Sequence, residues 1–273
     1  MNEERIRVTR LRCGTVSPPA GFCPEAGRPA LRRKLAVSVF LAELPGRRPL
    51  LIDAGLGRAV SPEGRYDRAA ARAWLPEHLC AFWRPETPPG RAPAEQLRAR
   101  GLSPAELEGV LLTTLEPDHV TGLPELAGAG RIWLPEQERF WTCRTVYALR
   151  QPRRAWEAVK PEVFYYRGTR DGPVLRSLDL LGDGLVICVS TPGYTEGLCA
   201  VELRSPSGRF ALIQSDLALT PAELAAGRVP LTGFNREFQR RSLRWLRERS
   251  RDGACAGVFF GHDPAPGPDV LEF

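Results

Sequence analysis

Four times along this chain a short apolar run stops abruptly in a polar cluster, and that recurrence constrains the fold more than any other feature. Residues 110–113 run into Thr114, Glu116, Asp118 and His119. Residues 178–190 run into Thr191-Pro192-Gly193 before a second apolar run at 198–204. Residues 210–213 run into Gln214-Ser215-Asp216, and residues 257–260 into Gly261-His262-Asp263. Short apolar runs bounded by turn residues read as buried strands. Layered α/β folds build their sites where such strands end together at one edge. Further strands are expected at 6–12, 35–44, 49–56 and 131–135. Helices are expected at 66–82, 93–100, 103–108, 136–157, 220–226 and 235–251. Along the last of these, Arg240, Arg241, Arg244, Arg247, Arg249 and Arg251 read as a solvated face, with Phe238, Trp245 and Leu246 turned to the core.

Composition narrows the chemistry. The 273 residues contain only three histidines, His78, His119 and His262, so a metal site needing four or five imidazoles is excluded. His78 lies in the Arg- and Pro-rich stretch 57–92, which reads as a surface excursion, and it is assigned no role. The net charge of +6 comes almost wholly from arginine, Lys34 and Lys160 being the lysines. No aromatic-studded basic module accompanies that charge, so nucleic acid is not an expected partner. Seven cysteines, odd in number and without a Cys-x-x-Cys pair, argue against a disulfide framework or a zinc knuckle; buried reduced thiols are expected. No apolar run approaches a membrane span, and the opening Met1-Asn2-Glu3-Glu4-Arg5 lacks a secretion signal, so the cytoplasm is the expected location.

The segment from Leu111 through Thr113-Thr114-Leu115-Glu116-Pro117-Asp118-His119 to Gly122-Leu123 resembles the signature loop of the metallo-β-lactamase superfamily, His-x-His-x-Asp-His followed by a glycine turn. Leu51-Ile52-Asp53-Ala54-Gly55 resembles that superfamily's early strand and Asp-Thr-Gly turn. Thr191-Pro192-Gly193-Tyr194-Thr195 resembles its Thr-Pro-Gly-His-Thr segment, Asp216 its bridging aspartate, and His262 its last histidine. The ordered set spans about residues 35–263 and implies an α/β fold, a four-layer αββα sandwich formed by 1–273 as one domain. The Cys13-Gly14 opening, the excursion and the Gly-His-Asp ending most resemble the N-acyl-homoserine lactonase-like branch. That branch places a tyrosine three residues after the bridging aspartate, where this chain has Leu219.

The resemblance also locates the departures. Three positions that hold histidines of a first metal site are Thr114, Glu116 and Tyr194 here, whereas Asp118, His119, Asp216 and His262 remain for a second. Two imidazoles and two carboxylates suit one divalent metal, with zinc expected first and iron or manganese also compatible. Glu116 resembles the glutamate of the flavodiiron pattern His-x-Glu-x-Asp-His and is a further candidate ligand. The implied activity is metal-dependent hydrolysis of a small-molecule ester or lactone, with Asp118 or Asp216 handling the water and Tyr194 or Thr114 donating a hydroxyl. The rival is a catalytically inactive scaffold that binds a ligand or partner. The residues also have structural readings: a loop cap for Asp118, a core role for His262, a helix N-cap for Asp216 and packing for Tyr194.

Overall fold

The computed structural model describes residues 5–19, 32–265 and 268–273. Among the described residues thirteen strands form two sheets. They are β1 (Arg7–Val16), β2 (Leu35–Glu43), β3 (Leu50–Ile52), β4 (Gly109–Leu111), β5 (Ile132–Pro135), β6 (Glu162–Phe164), β7 (Arg167–Gly168), β8 (Arg176–Asp179), β9 (Val186–Ser190), β10 (Cys199–Arg204), β11 (Phe210–Ile213), β12 (Cys255–Phe259) and β13 (Val270–Glu272). The first sheet has the order β13-β1-β2-β3-β4-β5-β6 and the second β12-β11-β10-β9-β8-β7. In the first, pairing is antiparallel from β13 to β3 and parallel from β3 to β6. In the second, only β11 and β12 are parallel among the described pairs.

Side-chain parity shows how the layers stack. Along β2, Phe40 and Ala42 pack with Val201, Leu203 and Ile213 of the other sheet. Their neighbours Val37, Val39 and Leu41 pack against Leu79, Trp83, Leu97 and Trp156 on helices. Along β11, Ala211 and Ile213 face the first sheet, while Phe210 and Leu212 meet Leu224, Leu243 and Leu246 of helices Pro221–Ala226 and Arg236–Arg249. A period of two with apolar residues on both faces is what a strand needs when both faces are covered, and it is why these strands read as mostly apolar runs. The result is the expected αββα arrangement.

The expected elements are present, the first strand longer than its 6–12 pattern and most others cut shorter. Pro76 divides the 66–82 stretch into helices Arg68–Arg72 and Glu77–Trp83. The 136–157 stretch is three helices, Glu136–Trp141, Thr145–Ala148 and Arg153–Glu157, with Pro152 immediately before the last. The 103–108 helix is a single 3₁₀ turn, Pro104–Glu106. The 178–190 run is a hairpin, because Gly182 and Gly184 take positive φ and donate their N–H groups to Asp179. On the long helix, Gln239, Ser242, Leu243 and Leu246 form the buried stripe, and Phe238 and Trp245 are only half-buried. Strands β6, β7 and β13 have no counterpart among the expected elements. All six described cysteines are free, four of them buried; Cys23 lies outside the described residues. Among the described residues no helix is long and apolar enough to cross a membrane.

One close approach ties the fold to its functional edge. The loop after β3 and the loop after β4 are stitched by Ala54 N–H to His119 O at 2.8 Å and Gly122 N–H to Gly55 O at 3.0 Å. A Cβ on Gly122 would stand 2.1 Å from the Ala54 carbonyl oxygen. G122A is therefore expected to cost about 1–3 kcal/mol and lower Tm by several degrees in calorimetry. G253A, whose Cβ would meet nothing within 4 Å, is expected to leave Tm unchanged.

Candidate metal centre

Four strand ends deliver the titratable groups to one place. Asp53 follows β3. Thr113 follows β4 and leads to the short helix Pro117–Val120, which carries Asp118 and His119. Ser215 and Asp216 follow β11, and His262 follows β12. Asp53 and Ser215 adopt left-handed φ values of 64° and 54°. Such backbone costs about 1–3 kcal/mol for a non-glycine residue and persists where its surroundings over-determine it. Here the surroundings are hydrogen bonds: Thr113 N–H donates to Asp53 Oδ1 at 2.8 Å, and the Thr113 hydroxyl lies 2.8 Å from Asp53 Oδ2 and 2.7 Å from the Ser215 hydroxyl.

Both imidazoles are oriented from behind. His119 Nδ1 donates to Asp53 Oδ2 at 2.8 Å, and His262 Nδ1 donates to the Ala36 carbonyl at 2.8 Å. Because each partner can only accept, each Nδ1 carries the proton and each Nε2 points into the centre. Asp216 Oδ1 lies 3.3 Å from His119 Nε2 and 3.2 Å from His262 Nε2; Asp118 Oδ2 lies 3.4 Å from His262 Nε2. The donor atoms of Asp118, His119 and His262 all lie within 4.8 Å of one another, and all three residues are buried. Both carboxylate oxygens of Asp118 and Oδ1 of Asp216 make no hydrogen bond despite burial.

The electrostatics follow from crowding carboxylates out of water. Burial alone would lower the pKa of both imidazoles, but neighbouring aspartates win. Asp216 and Asp53 raise His119 well above the ordinary histidine value, and Asp216 with Asp118 raises His262 to about 9. Burial would raise Asp216, yet the two imidazoles hold it below the ordinary carboxylate range.

The three remaining sequence candidates are placed differently. Glu116 is buried, and its Oε2 accepts from Arg150 Nη2 at 2.7 Å. Burial pushes Glu116 up to about 7 even though Arg150 pulls it down. Thr114 donates its hydroxyl to Glu138 Oε2 at 3.0 Å, so that hydroxyl is already committed. Glu138 also accepts from Leu115 N–H, Thr195 Oγ1 and Gly197 N–H, which clamps the Thr114 loop to the Thr195 loop. The Tyr194 hydroxyl accepts from Thr232 Oγ1 at 3.3 Å, and its ring lies in the apolar cluster with Leu198 and Phe260. Burial raises Tyr194 well above the ordinary phenol value, so it remains protonated.

Among the structural readings, the N-cap for Asp216 is corrected: Thr220 caps helix Pro221–Ala226 through Glu223 N–H. Leu219 is buried in the core on the helix side of the first sheet, and His78 is exposed on helix Glu77–Trp83. Sequence reasoning did not single out Asp53, Arg150 or Glu138 for roles. Asp53 had a signal, since it ends a strand before Ala-Gly. Arg150 and Glu138 had none, being one arginine and one glutamate in a charged helical stretch.

No protein-family model matches this chain, and no curated protein matches it. Solved structures do. An N-acyl homoserine lactone hydrolase with the product N-hexanoyl-L-homoserine bound at its catalytic metal centre superposes with a TM-score of 0.73 at 18% identity, over 94% of this chain and 93% of that one. AidC, a dizinc quorum-quenching lactonase, superposes with a TM-score of 0.65 at 16% identity, over 96% and 89%. The hydrolase AbOPH of the beta lactamase superfamily superposes with a TM-score of 0.61 at 16% identity, over 98% and 93%. Likeness at these identities is a likeness of architecture, and with two packed sheets between helices and its titratable groups at one edge of the strands, the chain has the metallo-β-lactamase fold.

Proposed function

We propose that this protein is a metal-dependent hydrolase of small-molecule esters or lactones, working with one divalent metal held by Asp118, His119, Asp216 and His262. The observation that carries the reading is the pairing of two imidazoles locked with Nε2 inward and buried aspartate oxygens left without hydrogen-bond partners. Buried polar groups are almost always satisfied, and carboxylates that are not mark a place for a cation. Two nitrogens and two carboxylates suit zinc, with iron and manganese compatible. The commitment of Glu116 to Arg150 and of Thr114 to Glu138 supports a single ion rather than a pair. Substrate class rests on the architecture shared with lactone and other hydrolases. A cytoplasmic location agrees with the free thiols.

A divalent metal bound here supplies Lewis acidity, which polarises a carbonyl and makes water a nucleophile near neutral pH. The chain's own groups divide the remaining work. Asp53 fixes the His119 ring, and the Ala36 carbonyl fixes that of His262. Asp118, with both oxygens free of hydrogen bonds, is able to ligate through one and take a proton from the attacking water through the other. Asp216 sets the negative charge between the imidazoles, and Tyr194, a protonated phenol, is assigned the role of hydroxyl donor to a developing oxyanion. The scaffold alternative draws on the same Glu116–Arg150 pair, since a filled first site is also what an inactive relative would keep.

Protein purified without chelator is expected to carry one equivalent of metal by elemental analysis and to hydrolyse a member of an aryl-ester and acyl-homoserine-lactone panel. Chelation is expected to abolish that turnover. H119A and H262A are expected to lose both metal and turnover; retention of metal by H262A overturns the ligand assignment, and metal without turnover on the panel favours the scaffold. Zinc at about 1,000 times its Kd is expected to stabilise the chain by about 4 kcal/mol, read as a rise in Tm.

Asp53 provides a separate check, because it touches His119 and is not one of the four proposed ligands. D53N is expected to weaken zinc binding about 10–100-fold in titration calorimetry while leaving one equivalent per chain, the usual consequence of losing the group that orients a ligand imidazole.

A further inference from the structure

The geometry points to Arg150 as a built-in cation that stands in for a second metal and holds this protein to one. The inference rests on the one-metal reading above and gives a reason for that number. Three buried carboxylates, Glu116, Asp118 and Asp216, lie within electrostatic reach of one another. Two imidazoles face Asp118 and Asp216, and Glu116 is left to Arg150. An excess of carboxylate is what draws a second cation into such a centre, and here a guanidinium already answers it.

The charge is fixed as well as close. Arg150 Nη2 reaches Glu116 Oε2 at 2.7 Å, and Nη1 donates to the Thr232 carbonyl at 2.6 Å. The guanidinium carbon lies 5.2 Å from the Tyr194 ring centroid and 4.8 Å from that of Phe234, and Phe234 stacks on Tyr147 at 4.0 Å. Arginine is the residue suited to this position: it keeps its charge when buried, pairs with a carboxylate as a planar fork, and stacks on aromatic faces. A divalent ion entering beside Glu116 would meet a positive charge that cannot swing away, in surroundings that screen little. The negative charge that would attract it is already neutralised.

The test counts ions rather than turnover. Full-length protein, stripped of metal and dialysed against Mn²⁺, is analysed for metal content. The wild type and R150K are expected to hold one equivalent and H262A none. R150M, which keeps the apolar stem and removes the charge, is expected to hold two, the second more weakly and lost again in E116Q/R150M. A wild type with one equivalent and a folded R150M that also holds one overturns the inference and leaves the one-metal reading standing. A second equivalent in R150K, or two in the wild type, overturns it too, whereas a wild type with none overturns the one-metal reading and the inference together. Should R150M not fold, R150Q, which removes the charge but keeps hydrogen-bonding groups beside Glu116, is measured instead; two equivalents support the inference and one overturns it.

Discussion

Carboxylates buried at the ends of strands are the constraint on which this structure turns. Asp53, Asp118, Asp216 and Glu116 are each no more than 3% exposed. An isolated carboxylate would be intolerably costly there, and each is answered by a different device. Asp53 is surrounded by donors: Thr113 N–H, the Thr113 hydroxyl and His119 Nδ1–H. Asp216 lies against two imidazole Nε2 atoms, and Glu116 against a guanidinium. Asp118 alone keeps both oxygens without a hydrogen bond, and it is the clearest sign in the centre that something other than protein completes it. The strained backbone of Asp53 and Ser215 belongs to the same logic, because it is the hydrogen bonding around Asp53 that keeps both residues left-handed.

Two further polar positions, Thr114 and Glu116, are buried beside this centre, and the chain satisfies them with different chemistry. At Thr114 the answer is Glu138, a buried acid saturated by donors from two loops. At Glu116 and Tyr194 the answer is Arg150, which satisfies an acid and covers a ring at once. Breaking such a buried pair from one side leaves an uncompensated charge and typically costs about 3–5 kcal/mol. Glu138, on helix Glu136–Trp141, and Arg150, in the turn after helix Thr145–Ala148, both belong to the segment between β5 and β6. The same segment thus covers the loops that follow β4 and β9.

The layered fold was largely legible. Strands β2, β9, β10 and β11 are mostly apolar because both their faces are covered, and that pattern survives in any sequence that builds such a sandwich. Element lengths were less legible, since a helical pattern carries no record of where tertiary contacts end it: Pro76 and Pro152 marked two of the breaks, and the hairpin at Asp179 was visible only as two glycines. Strand β13 escaped notice because an exposed, three-residue edge strand has almost no apolar signature of its own.

Sequence alone determined which groups the centre has to work with: two usable histidines, aspartates at strand ends, and the absence of imidazole at positions 114, 116 and 194. It determined these because residue identity and order along a strand suffice to bring side chains to one edge. Only the tertiary structure decided that Asp53 orients His119, that Glu138 takes the Thr114 hydroxyl, and that Arg150 neutralises Glu116. Those partners lie 66, 24 and 34 residues apart. Charge compensation across such separations depends on distance in space, and the chain writes no local pattern for it.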